Sequence, residues 1–425
     1  MGNEFGIITG IFKEINDVRI EYRRRGVLEQ EQQQLTRPVI TVSPAPIPVL
    51  ANISLFSGDM LTVTETTIPD RVTTLVPCPG FTTVGSIEID RTQVPSTQTN
   101  FQLTIRVTDS RLKTFGSGGF VLNASGFDIR PYSMACTALV YELEENGYDL
   151  TTGTVLMHVV VPSVNGAETS SNTSILLNWG NALLTTDGSS SLTWTPFGYT
   201  SVLHMNEIDT MTRDSVVLPS TSFNRWGAGT VVSATGQIGN AGAFNGINGS
   251  IVTGNATSPF TNLLLGTSDF TVSLWANTTT DTRNLGGRLN ILIQSGFKVS
   301  YWWLGIRTGK FWVDIRTNGW ATAQTVTGNT SVIDGAWHYL VVTRVAGVVK
   351  LYVDGVLDVT DTGSGTVDLT NDGGDHTVGD VDNAQQWWNG YIDEWRTIQG
   401  TALSANRILA EYRNQLAPNT FYSFT

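Results

Sequence analysis

The chain has 425 residues, enough for two or three domains that each bury a core. Its net charge is −12, and residues 1–37 hold six Lys/Arg and six Asp/Glu, so the acidic excess belongs to the rest. An acidic body lacks the basic groups that displace counterions from nucleic acid, and no run approaches ~18 apolar residues, so neither nucleic-acid binding nor a membrane span is expected.

The start, "MGNEFGIITGIFKEINDVRIEYRRRG", does not read as a signal peptide. Its apolar stretch is broken by Lys13 and Glu14, and no small-residue cleavage site follows. Phe5, Ile8, Phe12, Ile15 and Tyr22 recur at roughly 3.6 spacing, which predicts a partly helical N-terminal arm over 1–37. Such a stripe needs a surface to cover it, either a partner to which the arm anchors the chain or the chain itself. Residues 38–79 follow as a linker with lead-in strands. Pro38, Pro44, Pro46 and Pro48 favour an extended, semi-rigid path there.

From about residue 50 the pattern becomes short alternating strands: "MLTVTETTI", "SIEIDRTQV", "FQLTIRVTD", "TVLMHVVVPSV" and "SILLNWGN". Turn residues separate them at sandwich spacing, so 80–199 is expected to be a β-sandwich. Cys78 and Cys136 are the only cysteines; two buried free thiols are the simpler reading, a pair the alternative. Two thiols cannot complete a structural zinc site, and the four His show no ligand spacing. Glu142 and Glu144 in "YELEE" share one face and read as an ordinary exposed strand edge.

A second β segment covers 200–425. It holds hairpin signatures at Thr308-Gly309, Ala346-Gly347 and Asp354-Gly355, the last suited to a type I′ turn. A meander this long must close or stack on another sheet. The expected fold is therefore all-β, two tandem sandwiches behind a short helical arm.

The strings "DFTVSLWANTTT", "GAWHYLVVTRVAGVVKLYVDG", "HTVGD", "WWNGYIDEWRTIQGTALSANRILAEYRNQ" and "APNTFYSFT" resemble, in order, the LamG-like (concanavalin A-like) jelly roll. The stretch from "IEIDRTQV" to "SILLNWGN" is similar to a β-domain of unknown function that commonly precedes such jelly rolls. The resemblance makes "GYIDEWR" the closing strand. Alternation there puts Ile392 and Glu394 on one face and Asp393 and Trp395 on the other. It also implies a structural Ca²⁺ held by Asp393, with Glu207 of "LHMNE" as the second ligand; the plainer alternative is an Asp capping a loop.

Glucanases of this fold carry Glu-x-Asp-x-x-Glu on one strand. The nearest string, "EIDRTQ" at 88–93, ends in Gln93 and lies in the upstream domain, while the strands from Trp302 to Arg316 offer only Asp314. A non-catalytic protein is expected. Ten of the twelve Trp lie after residue 200. In the neighbours Trp302-Trp303 and Trp387-Trp388 one ring of each pair should face away from the core. Trp303, Trp320, Trp387 and Trp388 are the candidates for glycan or partner contact, while Trp275, Trp312, Trp337 and Trp395 read as core. LamG-like modules normally work outside cells, and no export signal is read here. Virion proteins meet both conditions. The expectation is a homo-oligomeric bacteriophage structural protein, a tail or head appendage or a capsid decoration, joined to other virion proteins by its arm and adhering to host-surface polysaccharide. A bacterial surface adhesin is the alternative, a glycoside hydrolase the more distant one.

Overall fold

In the computed structural model the chain divides into two compact units, Met1–Thr74 and Leu75–Thr425. The structure describes 6–8, 20–24, 53–55 and 59–63 of the first unit. Of the second it describes 75–425 except 208–210, 217–221, 227–230, 255–264, 284–287, 296–300, 318–320, 364–367, 370–375 and 380–386.

The first unit corrects the expected helical arm. Gly6–Ile8 is a strand paired with Ile53–Leu55, and Ile20–Arg24 pairs antiparallel with Asp59–Val63. The sequence "IEYRR" carries a β-branched and an aromatic residue, and a ladder partner some forty residues away decides its conformation against a helical spacing. Ile8 ends the first of these strands; Phe5, Phe12 and Ile15 lie outside the described residues. The longest helix among the described residues stands at the other end of the chain, Ala405–Leu416. Ser404 caps it by accepting from Arg407 N–H at 3.2 Å. No helix among the described residues is long and apolar enough to cross a membrane.

The second unit opens with a sandwich. One sheet runs Tyr422–Phe424, Thr83–Ile89, Thr173–Trp179, Arg130–Ser133. The facing sheet is Gln98–Thr108, Thr154–Val164, Tyr141–Asp149. The central strand Thr154–Val164 is buried over Val155–Val161, an apolar run interrupted by His158. Cys78 and Cys136 form a disulfide across 58 residues with Cα atoms 5.5 Å apart, so the free-thiol reading is corrected. Sequence separation concealed the pair.

The jelly roll follows, two sheets enclosing a core of Leu274, Trp302, Leu304, Val313, Leu340, Ile392 and Trp395 among others. One sheet runs Val231–Thr235, Asn240–Asn245, Asn389–Gln399, Phe270–Asn277, Trp337–Val345, Val348–Val353, Val356–Asp361, with Tyr199–Leu203 also paired to Asn389–Gln399. The other is built on Arg288–Ser295, Tyr301–Arg307, Lys310–Thr317 and Ala321–Ser331. All three expected hairpin turns form, with positive φ at Thr308, Gly309, Ala346, Gly347, Asp354 and Gly355.

The C-terminal helix joins the two sandwiches. Ile408 packs with Trp275, Tyr339 and Tyr352 on the outer face of the first jelly-roll sheet. Ala410, Phe421 and Tyr422 lie in the upstream core. The last strand, Tyr422–Phe424, leaves the jelly roll and completes the upstream sheet beside Thr83–Ile89.

Candidate functional site

The closing strand Asn389–Gln399 organises the site. Opposite Phe270–Asn277 its register shifts, pairing Trp275 with Asp393 but Ser273 with Arg396, and Glu394 takes a positive φ of 52°. This is a β-bulge. The extra residue puts Ile392 and Trp395 together in the core, so the strict alternation expected from "IDEW" fails at this point. Asp393 and Glu394 are both fully or almost fully buried.

Asp393 Oδ2 accepts from Ile238 N–H at 2.8 Å, while its Oδ1 has no hydrogen-bond partner. Burial, and after it the Glu394 carboxylate, push the Asp393 carboxyl well above the usual range. An orphaned, buried carboxylate oxygen fits one ligand of a cation. Glu207, also buried, accepts from Arg213 N–H at 2.7 Å through Oε1.

Glu394 faces a different group. Its Oε1 lies 2.8 Å from His204 Nδ1 and 3.9 Å from His158 Nε2, and Oε2 accepts from Arg396 Nε at 3.1 Å. Glu144 Oε1 lies 2.6 Å from His158 Nε2 and 3.8 Å from His204 Nδ1. The two imidazoles stack with centroids 4.6 Å apart. Glu142 lies beside them, within reach of His204 Nε2, and accepts from Ser215 Oγ–H and Trp194 Nε1–H. Glu142 and Glu144 are therefore buried, which corrects the exposed-edge reading.

Burial opposes ionisation of Glu394, but His204 and Arg396 hold its carboxyl below the usual range. Burial likewise opposes the His204 cation, yet Glu394, Glu144 and Glu142 raise its pKa well above the ordinary value. Burial and the His204 charge push His158 well below. Burial also lifts Glu144 far above, against the pull of His204 and with the push of Glu394.

Sequence reading missed this group because its members come from four separate strands or strand ends. A signal was present: His158 interrupts the apolar run "TVLMHVVVP", where a lone imidazole requires a polar partner.

The aromatic candidates separate. Trp303 and Trp388 are buried, against the expectation of outward rings; Trp303 packs 6.5 Å from Trp312, and Trp388 lies in the main core. Trp387 is half-buried, and Trp320 lies outside the described residues. Trp275, Trp312 and Trp395 are core, and Trp337 is half-buried against Tyr391 at 6.1 Å.

Tyr391 is 40 % exposed and stands at the rim of a cleft of about 300 Å³. Asn245, Asn277, Thr278, Thr280 and Asn389 supply its amides and hydroxyls, and among the described residues none of the lining side chains is charged. Thr278 Oγ1–H donates to Asn389 O at 2.6 Å and Asn389 Nδ2–H to Thr280 Oγ1 at 2.9 Å, which fixes the cleft wall.

Residues 248–409 match the family described as the concanavalin A-like lectin/glucanases superfamily. No curated protein matches the chain. Among solved structures, the binding domain of Paraclostridial Mosquitocidal Protein 1 is similar at 15 % identity and a TM-score of 0.41, over 51 % of this chain and 52 % of that one. Domain 4 of AbnA, a GH43 extracellular arabinanase from Geobacillus stearothermophilus, is similar at 21 % identity and a TM-score of 0.36, over 50 % of this chain and 98 % of that one. The Botulinum neurotoxin serotype D binding domain is similar at 16 % identity and a TM-score of 0.39, over 53 % of each chain. The chain thus spans about half the length of the two toxin binding domains. The stretch 248–409 is thus similar to the concanavalin A-like lectin/glucanases superfamily.

Proposed function

We propose that the protein is a non-catalytic binding protein whose jelly roll holds a neutral glycan in the cleft beside Tyr391. The observation that carries this reading is the chemistry of the cleft wall. Among the described residues it offers amides, hydroxyls and one exposed ring, with no carboxylate. Glycoside hydrolysis needs two carboxyl groups flanking the scissile bond, whereas sugar recognition needs hydrogen-bonding groups and a ring for the C–H face. A panel of bacterial surface oligosaccharides tests the reading. Binding by the wild type, weakened tenfold or more in Tyr391→Ala, is the expected result; equal binding by both would overturn it.

The setting we infer is a bacteriophage particle, with the chain as an appendage or decoration and residues 1–37 as its attachment. Support comes from the separate first unit and the proline run after residue 37. Deletion of 1–37 should leave the second unit folded while abolishing incorporation into the particle. Normal incorporation of the shortened chain would overturn the setting and leave the glycan reading untouched. Asp393 is proposed to hold a structural Ca²⁺ through its orphaned oxygen, with Glu207 as the second protein ligand.

A further inference from the structure

The geometry points to a second metal centre: we propose that Glu144, His158, His204 and Glu394 hold one divalent transition ion, Zn²⁺ foremost, as a closed structural site. It is independent of the glycan cleft and distinct from the proposed calcium at Asp393.

Four ligand atoms, one from each side chain, lie within 4.8 Å of one another. Each carboxylate Oε1 faces both imidazoles, one at 2.6–2.8 Å and the other at 3.8–3.9 Å. Bonds of about 2.0–2.1 Å in a tetrahedron place ligands roughly 3.3 Å apart, so the observed spacings straddle what one zinc requires. Small side-chain shifts equalise them.

The outer atoms support the same reading. On the far side of the centre, His158 Nδ1 meets Thr104 Oγ1 at 3.1 Å and His204 Nε2 meets Glu142 Oε2 at 3.3 Å. Glu394 Oε2 is held by Arg396, and Glu144 Oε2 accepts from Asn206 Nδ2–H at 3.1 Å. Every ligand thus presents one atom inward while its other polar atom is fixed by a separate partner. That is the outer shell which orients ligating His and carboxylate groups.

Two imidazoles with two carboxylates select a borderline ion such as Zn²⁺ or Co²⁺ over Ca²⁺ or Mg²⁺, which prefer oxygen alone. Four protein ligands and complete burial leave no position for a substrate, so the role is structural. Glu144 and His158 belong to the upstream sheet, whereas His204 and Glu394 belong to the jelly roll. One ion would tie the two sandwiches together. Because the site is closed, the ion enters as the chain folds.

The test uses the full chain, purified without chelator and also refolded from denaturant with Zn²⁺ or Co²⁺. One equivalent of metal per chain is expected, with the intense visible absorption of four-coordinate Co²⁺. Glu144→Gln should lose the band, and Thr104→Val should keep it with affinity reduced 10–100-fold. Asp393→Asn should keep both band and affinity. A wild-type chain that refolds without taking up either ion, or that gives only the weak spectrum of six-coordinate Co²⁺, overturns the proposal. So does an unchanged band in Glu144→Gln. Should Glu144→Gln not fold, the wild-type stoichiometry and spectrum decide the matter.

Discussion

His204 Nδ1 lies 2.8 Å from Glu394 Oε1 although 190 residues separate them. The contact exists because Tyr199–Leu203 pairs with Asn389–Gln399 and because the bulge turns Glu394 away from the jelly-roll core. Glu394→Gln leaves His204 and Arg396 without their shared anion in a dry site. Breaking a buried pair on one side costs roughly 3–5 kcal/mol. Urea denaturation should show a loss of this order; a change below about 1 kcal/mol would mean the group is not paired as described.

Asp393 behaves differently. Burial and the Glu394 carboxylate raise its pKa, and an amide oxygen can still accept from Ile238 N–H. Asp393→Asn should therefore be nearly neutral in EDTA. In wild type, calcium at a hundredfold excess over its dissociation constant should add about 2.7 kcal/mol, and Asp393→Asn should lose that response. Equal calcium-dependent melting shifts in both proteins would place the ion elsewhere.

The disulfide gives a third expectation. Closing a loop of 58 residues removes denatured-state entropy equivalent to about 4 kcal/mol. The Cys78→Ser, Cys136→Ser double variant should melt well below wild type, and dithiothreitol should lower only the wild-type midpoint. Coincident melting of both proteins under oxidising conditions would show that the bridge does not stabilise the fold.

His338 donates toward Asp354 Oδ2 at 2.8 Å and lies 3.1 Å from Asp334 Oδ1. The Asp354 hydrogen bond raises its pKa, with burial opposing. A raised histidine pKa contributes stability fully below the unfolded value near 6.5, and that contribution fades as pH rises through the folded value. Asp354→Asn should bring the His338 titration, followed by NMR, back toward the ordinary value and flatten this part of the pH profile. An unshifted titration would contradict the pairing.

The hairpins were legible because X-Gly dipeptides between alternating runs demand positive φ, a local property seen at Asp354-Gly355. Likewise "FQLTIRVTD" announces its own strand. What escaped depended on distant partners. Tyr22 falls on the helical stripe, but its strand Ile20–Arg24 takes its ladder from Asp59–Val63. The bulge at Glu394 is imposed by the neighbouring strand and reverses the alternation that strand geometry alone dictates. The imidazole–carboxylate cluster needs four strands brought to one point, which no spacing in the sequence encodes.

The most direct test of the glycan reading is a ¹⁵N-edited NMR titration of the jelly roll within the full chain, using the best-bound oligosaccharide of the panel. Saturable shifts should centre on Asn277, Thr278, Asn389 and Tyr391, with the saccharide recovered at its original length. Shifts centred away from this cleft, or a shortened saccharide, would contradict the account.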